Sequence, residues 1–140
     1  MAAGIRRSEI IERAESWLWP SVAHSTTKFH QNEFGIYRTD CSGYVSMAWG
    51  LPGIPDDRWG GLDTLELAGV SALIGKDDLR AGDILLDAGR VVIFHEWAAQ
   101  DQSEYWGFEQ SGETGTVRRQ IPYPHDSDGD FTPRRYANLF

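Results

Sequence analysis

The chain reads as an α+β domain, with N-terminal helices packed on one face of an antiparallel sheet. Three observations predict this. Apolar residues recur at helical spacing in the first fifty positions. From Leu79 onward the character changes to short β-branched and aromatic runs separated by Gly, Asp and Gln. Helices followed by strands, in 140 residues with 41% hydrophobic and 24% charged content, suit one domain spanning 1–140 with its own core.

Taken in order, Ser8 opens the first helix, whose stripe of Ile10, Ile11, Ala14, Trp17 and Leu18 runs until Pro20. Residues 21–36 are polar without a sustained period and read as a loop. Thr39 and Asp40 are good N-cap residues for a second helix, in which Tyr44, Val45, Ala48 and Trp49 follow at helical spacing. Gly50 and Pro52 stop it, and residues 50–55 form a turn-rich connection. A short helix is expected over 64–68. Strands are expected at Ile84–Leu86, Val91–Phe94, Tyr105–Glu109 and Thr116–Ile121, joined as a meander. There is no repeat, linker or low-complexity segment.

The net charge of -8 argues against nucleic acid as a partner, because phosphate binding needs a basic surface. The pairs Arg118-Arg119 and Arg134-Arg135 sit late in this acidic chain and read as solvated. Six tryptophans and 12% aromatic residues suit core packing first, and sugar or peptide binding second. No apolar run approaches the ~18 residues needed to span a bilayer. Two arginines near the start are not followed by an apolar stretch, so no signal peptide is expected.

Cys41 is the only cysteine, so its value lies in packing or reactivity rather than in an intramolecular disulfide. Its place at the first turn of a capped helix favours reactivity, since unpaired N–H groups and the helix dipole stabilise a thiolate. A cysteine nucleophile needs a base, usually His, and a third group to orient it. His95 would end the third-quarter strand. His24 and His30 lie in the loop before the cysteine helix. His125 lies between Pro124 and an acidic turn, with no evident link to Cys41.

That acidic turn, Asp126-Ser127-Asp128-Gly129-Asp130, has carboxylates at alternate positions, as a calcium loop does. Its glycine stands fourth rather than sixth, and Ala137 stands where a bidentate Glu is needed. It reads as a solvated turn. No Cys/His cluster suggests zinc, and no cofactor is implied.

The capped Asp40-Cys41-Ser42-Gly43 helix, followed by Leu79-Arg80-Ala81-Gly82-Asp83-Ile84-Leu85-Leu86 leading into Val91-Val92-Ile93-Phe94, resembles the NlpC/P60 family over roughly residues 35–112. These are papain-like cysteine peptidases and amidases, mostly acting on the stem peptides of bacterial peptidoglycan. The resemblance implies a papain-like fold, a secreted or wall-associated setting, and Cys41 as nucleophile. It places Tyr37 beside the active site, Asp40 and Ser42 along the cleft, and Glu109 as the orienting residue, with Gln110 as its alternate. It also exposes a departure: where the family has its catalytic His, directly before the strand, this chain has Arg90. Arginine stays protonated and cannot accept the thiol proton. His95 would have to replace it from ~16 Å along the strand and from the opposite face, which needs a bulge. Two functions follow: an amide hydrolase acting on stem peptides or related small peptides, or a silenced relative that binds a wall fragment or a protein partner.

Overall fold

The computed structural model describes residues 4–126 and 129–140. Helix α1 (Arg7–Glu15) starts one residue before Ser8, and Trp17 is buried just beyond its end. A hairpin of β1 (Phe29–Asn32) and β2 (Gly35–Arg38) follows, then α2 (Cys41–Ala48), α3 (Thr64–Gly69) and β3 (Ser71–Leu73). The remaining strands are β4 (Ile84–Leu86), β5 (Val91–Trp97), β6 (Glu104–Ser111), β7 (Gly115–Pro122) and β8 (Thr132–Tyr136). The six-stranded sheet has the order β3-β8-β4-β5-β6-β7, with every pairing antiparallel. The mixed α+β class and the β4–β7 meander match the sequence expectation.

Two parts differ from it. Residues 21–36 are not all loop, because β1 and part of β2 lie there. The Asn32 side chain accepts the Phe34 N–H, and Gly35 takes φ +127°, so turn chemistry closes this hairpin rather than an apolar pattern. Like its edge partner β3, β8 was also absent from the expectation. It inserts between β3 and β4, and its two arginines are not solvated. Arg134 donates to Ser71 Oγ and to the Ala68 and Ser71 carbonyls. Arg135 donates to both oxygens of Asp83, which is fully buried and also takes Arg7 at 3.1 Å. The Gly-Asp signature before β4 therefore acts as a clamp between α1, β8 and the sheet.

The sheet is buried on both faces, which explains the unbroken apolar runs of β4 and β5. Ile84, Leu86, Val91, Ile93 and Phe108 face the helices. Leu85, Val92, Phe94, Tyr105 and Ile121 pack on the opposite side with Leu79 and Phe131. Helix α2 lies at the centre of the helical side, with Ser42 to Ala48 all buried. Tyr44 donates to the Ala14 carbonyl at 2.7 Å, and Trp49 donates to the Gly82 carbonyl at 3.0 Å. These two bonds tie α2 between α1 and the loop entering β4, and so set the position of its first residue, Cys41.

Candidate active site

Each residue of the Asp-Cys-Ser-Gly run has a separate structural task. Asp40 accepts the Gly43 N–H at 2.8 Å, capping the helix, and takes the Arg38 Nε at 2.6 Å. Ser42 accepts a second Arg38 nitrogen at 3.0 Å. Gly43 sits so close to β2 that a Cβ there would stand 2.0 Å from the Arg38 carbonyl oxygen, so only glycine fits. Asp40 and Ser42 thus hold the hairpin on the helix start rather than facing a cleft. Tyr37 is buried and donates to the Leu51 carbonyl, so it too belongs to the scaffold.

This frame presents Cys41, half-buried, to a cavity of about 180 Å³ at the ends of β5 and β6. His24, Arg90, Glu109, Gln110 and His125 also line it. The cavity shares Arg90, Glu109 and His125 with a wider cleft of about 520 Å³ that carries Arg119 and Asp126. Cys41 and Gln110 come from the helical side of the sheet, whereas Glu109 and His125 reach the cavity from the other. Sγ lies 3.9 Å from the Gly89 carbonyl oxygen.

Burial pushes the Cys41 thiol up. The Val91 N–H pulls it down, the Asp40 charge pushes it further up, and the Ser42 and Cys41 N–H groups oppose that rise. The net direction is upward, so the helix start does not produce the stabilised thiolate that its position suggested. Desolvation outweighs the N-terminal N–H groups here.

Glu109 is the hub of the wall opposite. It takes Arg119 Nε at 2.7 Å and His125 Nε2 at 2.5 Å. Burial pushes its carboxyl up, but the hydrogen bonds from His125 and Arg119, with the Arg119 charge, bring it down to about 2. An ionised carboxylate only accepts, so His125 donates from Nε2, which leaves Nδ1 as the ring nitrogen not engaged by Glu109. Nδ1 is 3.6 Å from Asp126, beyond hydrogen-bond range. Phe131 stacks on the imidazole with centroids 4.5 Å apart and locks the ring plane. The same phenyl ring carries the Arg90 guanidinium, 5.2 Å from its centroid.

The structure therefore brings together Cys41, Arg90, Glu109, Gln110 and His24 from the sequence candidates, and adds His125. The loop after β7 carries His125 back under the sheet, a placement without a local sequence signal. The nearest hint was the ten-residue separation of Glu109 and Arg119, which a β-hairpin turns into a contact. His95 does not line the cavity. It occupies a bulge in β5 between Phe94 and Glu96, packs on Phe108, and accepts from Arg118 Nε at 2.9 Å. Burial, then the Arg118 charge, lower its pKa. Arg118 and Arg119 are thus both engaged with side chains, not simply solvated.

Among the described residues, no group of three His, Cys, Asp or Glu side chains converges as a metal site. The acidic turn after His125 includes Ser127 and Asp128, which lie outside the described residues. Among the described residues, no helix is long and apolar enough to cross a membrane. No protein-family model matches the chain, and no curated protein matches it.

Proposed function

We propose that the chain is a thiol hydrolase of amide bonds, with an NlpC/P60-like, papain-like fold, acting on peptidoglycan stem peptides or related small peptides. The observation that carries this reading is one cavity lined by both Cys41 and the Glu109–His125 pair. Cys41 is the nucleophile, and its raised pKa means that its proton leaves during attack rather than beforehand. His125 Nδ1 takes that proton as Sγ bonds to the carbonyl carbon, and returns it to the nitrogen as the C–N bond breaks. The acyl-thioester is then hydrolysed by water. Glu109 holds the tautomer and stabilises the imidazolium, the part an orienting carboxylate plays in a triad. The Cys41 and Ser42 N–H groups, which already act on the sulfur, are the donors for the oxyanion.

The test is turnover of purified stem peptides by wild type, Cys41→Ala and His125→Gln. The expected result is turnover abolished in the first variant and reduced by about 100-fold or more in the second. Wild-type turnover retained by Cys41→Ala would overturn the reading.

A second reading, a silenced module that binds a wall fragment or protein partner, is favoured by Arg90 on the cavity wall and by the protonated thiol. It predicts saturable stem-peptide binding without turnover, and activity gained on Arg90→His.

A further inference from the structure

Gln110 is 1% exposed, yet its Oε1 has no hydrogen-bond partner among the described residues. The amide orientation is not arbitrary. Nε2 lies 3.2 Å from the Val22 carbonyl oxygen, which can only accept, so the nitrogen must face Val22 and the oxygen must face elsewhere. A buried acceptor left unpaired is costly, and native interiors rarely keep one. Gln110 also lines the cavity into which Cys41 opens. Oε1 is closed to solvent, so a molecule seated in the cavity can supply its donor only if the amide turns toward it.

We propose that Gln110 is a specificity-determining residue whose Oε1 accepts an N–H from the ligand beside Cys41. The cavity thus selects amides or amines over groups of equal size that lack the donor. This deepens the proposed function by naming what the cavity recognises, and rests on that reading for the place where ligand meets thiol.

Two alkylating reagents that differ only by N–H against O test it without requiring turnover. N-methyliodoacetamide and methyl iodoacetate each form an Sγ–CH2 bond on Cys41 while the C–I bond breaks and iodide leaves. Their rate ratio on the protein is divided by their ratio on N-acetylcysteine, which removes intrinsic reactivity. The expected result is a preference for the amide of about three- to tenfold, the worth of one neutral hydrogen bond. Gln110→Met should abolish that preference, bringing the amide-to-ester ratio to that of the free thiol. The Val22 carbonyl keeps Thr116 Oγ1 at 2.9 Å, so this variant retains a partner for it.

A wild-type ratio equal to that of the free thiol overturns the proposal, whether or not the variant folds. So does a preference that survives in Gln110→Met, which would be steric. A protein that shows the preference but never cleaves stem peptides loses the hydrolase reading and keeps this one. An active hydrolase without the preference does the reverse.

Discussion

Replacing Glu109 with glutamine keeps the shape of the side chain and removes the charge that Arg119 and His125 both address. The carboxyl falls from an ordinary value of 4.5 to about 2 in the folded protein. That difference corresponds to about 3 kcal/mol favouring the ionised native state, at about 1.4 kcal/mol for each factor of ten. Because the folded value is depressed, this stability is fully present above 4.5 and disappears as the pH falls toward 2. Glu109→Gln should therefore be about 2–3 kcal/mol less stable than wild type at neutral pH, with the gap closing across that acid window. Urea unfolding at pH 7, 4 and 2.5 measures it, as a lowering of the midpoint by about 1–2 M at neutral pH. Asp126, whose pKa is also lowered by Arg119, is present in both proteins, so most of its contribution cancels in the difference. Equal midpoints at pH 7, or a gap that does not change with pH, would refute the assignment of Glu109 as an ionised hub.

The other predictions concern the scaffold around the thiol. Gly43→Ala should cost about 2–3 kcal/mol, because its Cβ meets the Arg38 carbonyl and the overlap forces β2 off the helix; an unchanged melting temperature would contradict this. Asp83→Ala should cost about 3 kcal/mol by leaving Arg7 and Arg135 without their buried carboxylate, read as a drop in thermal midpoint. Asp40→Asn keeps a capping oxygen but removes a charge that raises the thiol pKa. Its alkylation profile should move to lower pH, and a profile unmoved or shifted upward would show that the cap charge does not act on Cys41.

The parts of the fold that announce themselves are those in which local chemistry and tertiary role coincide. Helix α2 carries its own cap and terminator, and β4 and the first half of β5 are apolar because both sheet faces are covered. β8 hides because its stabilising contacts are arginine side chains reaching to Ser71 and Asp83, which look like surface charge in the sequence. The β1–β2 hairpin hides because β1 has no buried position and β2 buries only Tyr37, and it closes through Asn32 and Gly35 rather than through an apolar face. At the site, Cys41 and Glu109 stand out from spacing and resemblance. His125 does not, since its position depends on β7 turning back and on Phe131 holding the ring. Asp40, Ser42 and Tyr37 mislead for the opposite reason: polar or aromatic residues beside a cysteine look like a cleft, yet here they fasten the helix to the hairpin. Arg90 occupies the place that sequence reasoning assigned to a base, and the structure puts two other histidines, His24 and His125, on the same cavity.

The account turns on whether Cys41 takes an acyl group from an amide. Intact-mass spectrometry of the protein, rapidly acid-quenched during incubation with purified stem peptides, reads this directly. The predicted result is a mass gain equal to the acyl portion of the peptide, located on Cys41, with release of the matching amine and with neither event in Cys41→Ala. An unmodified Cys41 with no amine released, from a folded protein saturated with the same peptides, would contradict the account and leave a binding module in its place.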